Sequence, residues 1–186
     1  MPAASPDRSL LLRGAVVAVL GVAAAAGSRT WLVQAFSIPS ESMERTLHGC
    51  AGCSGNDRVL VEKVTRRVSG VRRGEVVVFR TTGTAYAALG ERDVVKRVVG
   101  LPGDTVACCD VQGRVTVDGR GLAEPYVYED DHRRFGPVVV PAGQMWVMGD
   151  HRSDSRDSRS VGPVPEGNVV GRAVLRFWPP SRAGLL

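Results

Sequence analysis

Two serines two positions apart, Ser40 and Ser42 in the stretch IPSESMERTL, stand directly after Pro39. A serine hydroxyl is a weak nucleophile until a neighbouring base takes its proton. Bases are scarce in this chain. Of its 24 basic residues, 22 are arginine, whose guanidinium is not deprotonated in proteins. The remaining nitrogen bases are Lys63, Lys96 and three histidines, His48, His132 and His151. Lys96 lies in DVVKRVVGLPGD, where a strand would place it on one face with Val94 and Val98 and put Val95, Arg97 and Val99 on the other. Burial between valines lowers a lysine pKa, and bringing it from ~10.4 to about 8 costs on the order of 3 kcal/mol. The product is a neutral amine able to accept a proton from a serine. Lys63, beside Glu62 in LVEKVTRR, reads as a solvated cation. The loop GDHRSDSRDSR, residues 149–159, offers a second arrangement. There His151, the aspartates and the serines could assemble a Ser-His-Asp triad, so the histidines compete with Lys96 for the role of base.

The elements that must position these groups are of two kinds. Residues 1–9 are a short polar arm, and residues 10–36 are apolar. Their longest uncharged stretch, residues 14–28, has 15 residues, fewer than the ~20 a bilayer span needs. A full span therefore includes Arg13 or Arg29 near its end, where a long side chain can snorkel to the interface. We expect one N-terminal transmembrane helix over 10–36, with the N-terminus cytoplasmic because Arg8 and Arg13 precede it. A cleavable signal peptide ending at AAAAGS is the alternative, but TWLVQAF continues the apolar run past such a cut. From residue 58 the period changes. RVLVEKV, EVVVFR, RDVVKRVVG, DTVACC, RVTVDG, PVVV, QMWVMG and NVVGRAVLRFW are short valine-rich runs separated by turn signals such as LPGD, DGRG and VPEG. The expectation is an all-β, mainly antiparallel extracytoplasmic domain over residues 37–186.

Between the two lies the serine pair. Proline disfavours helix at Ile38. An extended reading puts Phe36, Ile38, Ser40 and Ser42 on one face; the alternative opens a helical turn capped by Ser40 or Ser42.

The net charge of +5 is spread among interleaved acids and bases, with no basic-aromatic stripe, so nucleic acid is not an expected partner. Four cysteines, Cys50, Cys53, Cys108 and Cys109, sit in a domain expected in an oxidising compartment. Three pairings are possible, and free thiols or a zinc site remain open. At least one disulfide is favoured over zinc, because adjacent strand residues point to opposite faces. A link from the 50–53 loop to Cys108 or Cys109 would stiffen the site.

Taken together, the motifs resemble those of the type I signal peptidases, the bacterial leader peptidases. IPSESMERTL is similar to their nucleophile box. NDRVLVEK is similar to the strand box after it. RRGEVVVFR with VVKRVVGLPGDTV is similar to the box holding the base, and GDHRSDSRDSRSVGPVPEGNVVGRA to the last box. The likeness runs from about residue 31 to 178. It implies a signal-peptidase-like β-fold and an endopeptidase that removes signal peptides after small residues, of Ala-x-Ala type. Ser42 falls on the nucleophile and Lys96 on its general base. Ser40, with the Ser42 backbone N–H, falls on the oxyanion hole. Arg97, Ser155, Asp157 and Arg159 fall on residues that brace the site, Ser155 on one that orients the lysine. Phe36, Ile38, Pro39, Val94 and Val95 fall on the substrate pockets. Secretory precursors and the lipid bilayer are the implied partners, at the cell membrane, and neither metal nor cofactor is required. The chain departs from the pattern at Glu41, Arg45 and His151. Glu41 is the departure with chemical consequence, since a carboxylate at the oxyanion hole would oppose developing charge. Two other classes share features: a self-cleaving Ser-Lys repressor, which would carry a DNA-binding half, and a membrane-tethered β-domain that binds extended peptides without cleaving them.

Overall fold

In a computed structural model of the chain, residues 32–186 are described. The expected arm and most of the expected anchor lie outside the described residues. Among those described, no helix is long and apolar enough to cross a membrane. The described part is built from twelve strands, β1 (Val33–Ser37), β2 (Arg58–Glu62), β3 (Val76–Arg80), β4 (Asp93–Gly100), β5 (Thr105–Cys108), β6 (Val115–Val117), β7 (Arg120–Gly121), β8 (Phe135–Val139), β9 (Gln144–Met148), β10 (Val164–Pro165), β11 (Val169–Trp178) and β12 (Gly184–Leu185). Two short helices interrupt them, α1 (Val64–Ser69) and α2 (Ser158–Val161).

Eight strands form one sheet in the order β1-β2-β11-β3-β4-β9-β10, with β12 added on β11. Four form a second, β7-β6-β5-β8. Every pairing between these strands is antiparallel. Period-2 alternation explains how one sheet feeds more than one core. On β3, Val77 and Phe79 enter a cluster with Val94, Val98, Met145 and Val147, while Val76 and Val78 enter another with Ile38, Met43, Leu47 and Val59. On β9, Met145 and Val147 face the first cluster, and Trp146 and Met148 pack with Val99, Val106 and Val117 between the two sheets. The sparse aromatics leave this packing to aliphatics, chiefly valine, whose branched side chains suit a pleated surface.

One expectation changes. Val33–Ser37 is a strand, paired with Glu62 through Arg58 of β2. The body therefore begins before residue 37, and any membrane span must end before Val33. Hydropathy alone does not separate an apolar edge strand from the end of a span. Of the two readings of the serine stretch, the structure has the turn rather than extension through Ser42. After Ile38 the chain turns, with Glu44 N–H donating to the Glu41 carbonyl (3.0 Å) and Leu47 N–H to that of Met43 (2.8 Å). Burial of Met43 and Leu47 in the second cluster holds the turn down.

Both cysteine pairs are disulfide-bonded, Cys50 to Cys53 and Cys108 to Cys109. The cross-link between the two regions is therefore not formed. Among the described residues, no cluster of His, Cys, Asp and Glu is arranged to hold a metal ion.

Candidate active site

The turn after β1 carries Ser42, and the middle of β4 carries Lys96. Register places Lys96 opposite Val77 of β3 and between Val94 and Val98 on its own face. It is 4% exposed. Its Nζ lies 2.5 Å from Ser42 Oγ, and Ser40 Oγ is 3.2 Å from the same oxygen. Burial pushes the Lys96 pKa down to about 8, with the Asp157 carboxylate as the strongest opposing influence. Among the described residues the Ser42 backbone N–H makes no hydrogen bond to a backbone carbonyl.

The 149–159 loop closes over this pair. His151 N–H donates to the Ser42 carbonyl (3.2 Å), pinning the backbone of the turn. A Cβ on Gly149 would fall inside van der Waals contact of that carbonyl oxygen and of Ser155 Oγ, so only glycine lets the loop approach so closely. Asp157 is fully buried. It accepts Gly149 N–H (3.0 Å) and is gripped by Arg159 through Nε (2.8 Å) and Nη2 (2.9 Å). Burial works against its charge, but the Arg159 hydrogen bonds prevail and hold its carboxyl below the ordinary range. Asp150, also fully buried, takes a forked bond from Arg97 at 2.8 and 2.6 Å and accepts the Thr46 hydroxyl at 2.5 Å. The Arg97 guanidinium stacks on Tyr126, 3.9 Å from the ring centroid. Arg152 is buried too, binding the Gly149 carbonyl and both oxygens of Glu124.

Ser42 and Lys96 open onto a cleft of about 750 Å³. Phe36, Ile38, Pro39, Val94 and Val95 all line it, and so do Tyr86, Leu89 and Ala51. Tyr86 and Leu89 come from the 3₁₀ turn Ala85–Leu89 in the 81–92 loop, and Tyr86 is buried edge-on against Phe79.

Of the residues singled out in the sequence, Ser40, Ser42, Lys96, Arg97, Asp157 and Arg159 are thus brought into one connected network. Ser155 lies beside Gly149 and near the Asp157 carboxylate, but among the described residues its buried hydroxyl makes no well-formed hydrogen bond, to Lys96 or to any other group. His151 is not placed as a base. Its ring nitrogens approach the Glu41 carbonyl (3.2 Å) and the Glu129 carboxylate (3.6 Å), while the Ser42 hydroxyl is taken by Lys96 and Ser40. Glu41 is exposed at the cleft wall. Arg45 stacks on Tyr128, 4.5 Å from its centroid, and the Tyr128 ring in turn meets His151 at 4.9 Å. The contributions missed in the sequence are Thr46, Gly149, Asp150, Arg152, Glu124 and Tyr86. A glycine before an aspartate in a charged loop was the only local signal for any of them.

A family model for signal peptidases, peptidase S26, matches residues 11–178. A signal peptidase I of Mycobacterium tuberculosis is 38% identical over 226 residues, which cover 96% of this chain and 76% of that protein. A signal peptidase I of Leptolyngbya laminosa is 42% identical over 190 residues, covering 100% of this chain and 89% of that one. A crystal structure of a signal peptidase I from Enterococcus faecalis aligns with 55% of this chain and 95% of its own, at 28% identity and a TM-score of 0.45.

Proposed function

Since the chain belongs to the signal peptidase I family (peptidase S26), serine endopeptidases that remove signal peptides from precursors, we propose that Ser42 is its nucleophile and Lys96 its general base. One observation carries this reading: a lysine amine, 4% exposed and depressed to about pKa 8, sits 2.5 Å from the serine hydroxyl. In the ammonium form the amine donates to Oγ. Once neutral, its lone pair accepts the hydroxyl proton as Oγ bonds to the scissile carbonyl carbon. The carbonyl oxygen gains the negative charge and is held by Ser42 N–H and Ser40 O–H. Lys96 passes its proton to the departing amine. A water, deprotonated by the same amine, then releases the acyl group and restores Ser42.

The precursor enters as an extended strand. β9 pairs with β4 only from Arg97 onward, so the Asp93–Lys96 half of β4 keeps one edge open beside the cleft. Adding a strand there satisfies its backbone and sends alternate side chains toward Ile38, Val94 and Val95. A wall of such short apolar groups admits alanine and leaves little room for bulk, giving Ala-x-Ala preference. Residues 10–32 act as a single membrane span with residues 1–9 cytoplasmic and the β-domain outside. The nucleophile is then close to the bilayer from which the precursor emerges, and the lipid bilayer, rather than nucleic acid, is the other partner. Asp157, Arg159, Arg97 and Ser155 support the site from behind.

The test is cleavage of a precursor whose signal peptide ends in Ala-x-Ala, by full-length protein in detergent. Ser42→Ala and Lys96→Ala each abolish product, and His151→Ala does not. Activity that survives in Lys96→Ala and is lost in His151→Ala would sink the lysine mechanism.

A further inference from the structure

The 81–92 loop between β3 and β4 is held as a fixed element. The Thr81 hydroxyl donates to the Glu91 carbonyl (2.5 Å) and the Thr81 N–H to that of Arg92 (3.0 Å), closing the loop at its base. Asn168, just before β11, donates its side-chain amide to the Arg80 and Thr82 carbonyls (2.8 Å each). The loop so fixed carries Tyr86 inward, to 1% exposure. Its ring joins the cluster of Phe79, Val94, Val98 and Met145. Val94 and Val98 are the valines between which Lys96 stands, so the ring bears on the lysine's face of β4. Tyr86 also lines the cleft. It therefore stands between the open cleft and the buried strand face.

The polar end of the side chain does not explain this place. Among the described residues the buried Tyr86 hydroxyl makes no well-formed hydrogen bond, although Ser158 and Asp157 are near it. Burial pushes its pKa above the usual range, so the phenol carries no charge. What the side chain supplies is bulk. Asp157 and Arg159 act on both the phenol and the Lys96 amine, which places the two in one buried neighbourhood. Without the ring, the cleft would extend into a space with polar partners and room enough for water.

We propose that Tyr86 is a positioning residue for the reaction, a stopper whose ring keeps cleft water away from the Lys96 amine; this rests on the reading of Lys96 as the general base. It acts through the lysine and not on the scissile bond. The charges that face the amine are Asp157 and Asp150 of the 149–159 loop and Glu91 of the 81–92 loop, which favour the ammonium, and Arg159, which opposes it. Water let in at Tyr86 adds to the first group, because hydration favours the charged form.

The chain has two lysines, so lysine isotope-labelled at Cε gives two signals, and a Lys63→Arg variant tells them apart. Titration of the full-length protein in detergent should show Lys96 near 8, unchanged in Tyr86→Phe and raised to ~9 or above in Tyr86→Ala. The acid limb of kcat/KM on a soluble Ala-x-Ala peptide should move with it. Tyr86→Val, which opens a smaller space, should move both part of the way, and it carries the test where the alanine variant does not fold. If Lys96 stays near 8 in the alanine and valine variants, Tyr86 is an ordinary core residue and the proposal is overturned, with the general base intact. If Tyr86→Phe raises the lysine as Tyr86→Ala does, the hydroxyl and not the ring sets the base, and the stopper is refuted. If Lys96 of the parent protein titrates near 10.5, the general-base reading fails and the stopper with it.

Discussion

Lys96 and Ser42, 54 positions apart, meet at 2.5 Å between a strand centre and a turn. Nearly all the water has been removed from the amine, and this depresses its pKa to about 8. If the neutral amine is the base, kcat/KM should rise about tenfold per pH unit on the acid side and level off above about 8. Initial rates of cleavage of a soluble Ala-x-Ala peptide against pH measure this. A rise centred near ~6.5, removed by His151→Ala, would assign the base to imidazole instead.

The same burial makes Lys96 a burden on the fold. Its pKa is about 8 in the folded protein and 10.5 when exposed to water, so between these values the unfolded chain binds more protons and stability rises with pH. Below about pH 8 the folded protein carries the whole penalty, on the order of 3 kcal/mol. Lys96→Met, similar in length and uncharged, should therefore be inactive yet ~1–3 kcal/mol more stable at neutral pH. Denaturant unfolding at pH 7 and above pH 10.5 checks it: the advantage should be lost in the alkaline titration. A less stable Lys96→Met at neutral pH would mean that the amine is solvated or well paired.

What was legible in the sequence follows from period-2 alternation. Val94, Lys96 and Val98 could be placed on one face because a strand leaves no other choice, and the valine runs marked eight of the twelve strands. The serine turn was harder to read. Ser40 and Ser42 meet through a bend held by Met43 and Leu47 in a core formed with β2 and β3, which no local pattern records. The aspartates of the 149–159 loop are alike in sequence. Long-range contacts with Arg97, 53 positions away, and Thr46, 104 away, distinguish buried Asp150 from exposed Asp154. Val33–Ser37 shows the converse error, where apolar character belonged to an edge strand.

Asp150 joins the lysine strand to the serine turn, since it binds Arg97, next to Lys96, and Thr46, four residues after Ser42. Asp150→Asn keeps the shape and removes the charge, leaving the Arg97 cation, 12% exposed in its side chain, without its counter-ion. A loss of ~3 kcal/mol in unfolding free energy is expected, together with a lower kcat. Thr46→Val removes one hydrogen bond and should cost about 1 kcal/mol. In a double-mutant cycle the two should couple, because both act on one oxygen of Asp150. Additive effects would place Asp150 outside the support of the turn.

Gly149 makes a tight demand on backbone space beside the nucleophile. Its N–H is bonded to Asp157 and its carbonyl to Arg152, so the residue cannot slide away from the serine turn. A methyl group in Gly149→Ala would press on the Ser42 carbonyl and the Ser155 hydroxyl together. Ser155 can rotate; a main-chain carbonyl held by His151 N–H cannot, and the displacement passes to Ser42. An overpacked site of this kind costs ~1–3 kcal/mol, which leaves a domain of this size folded. A shift of about 1 Å at the nucleophile costs on the order of 100-fold in rate. Gly149→Ala should therefore melt as a folded protein and lose about two orders of magnitude in kcat with KM little changed. Further replacement of Ser155 by glycine should recover part of the stability and little of the rate, because the Ser42 carbonyl is still displaced. Parental kcat in Gly149→Ala would mean that the loop does not hold the nucleophile in register with Lys96.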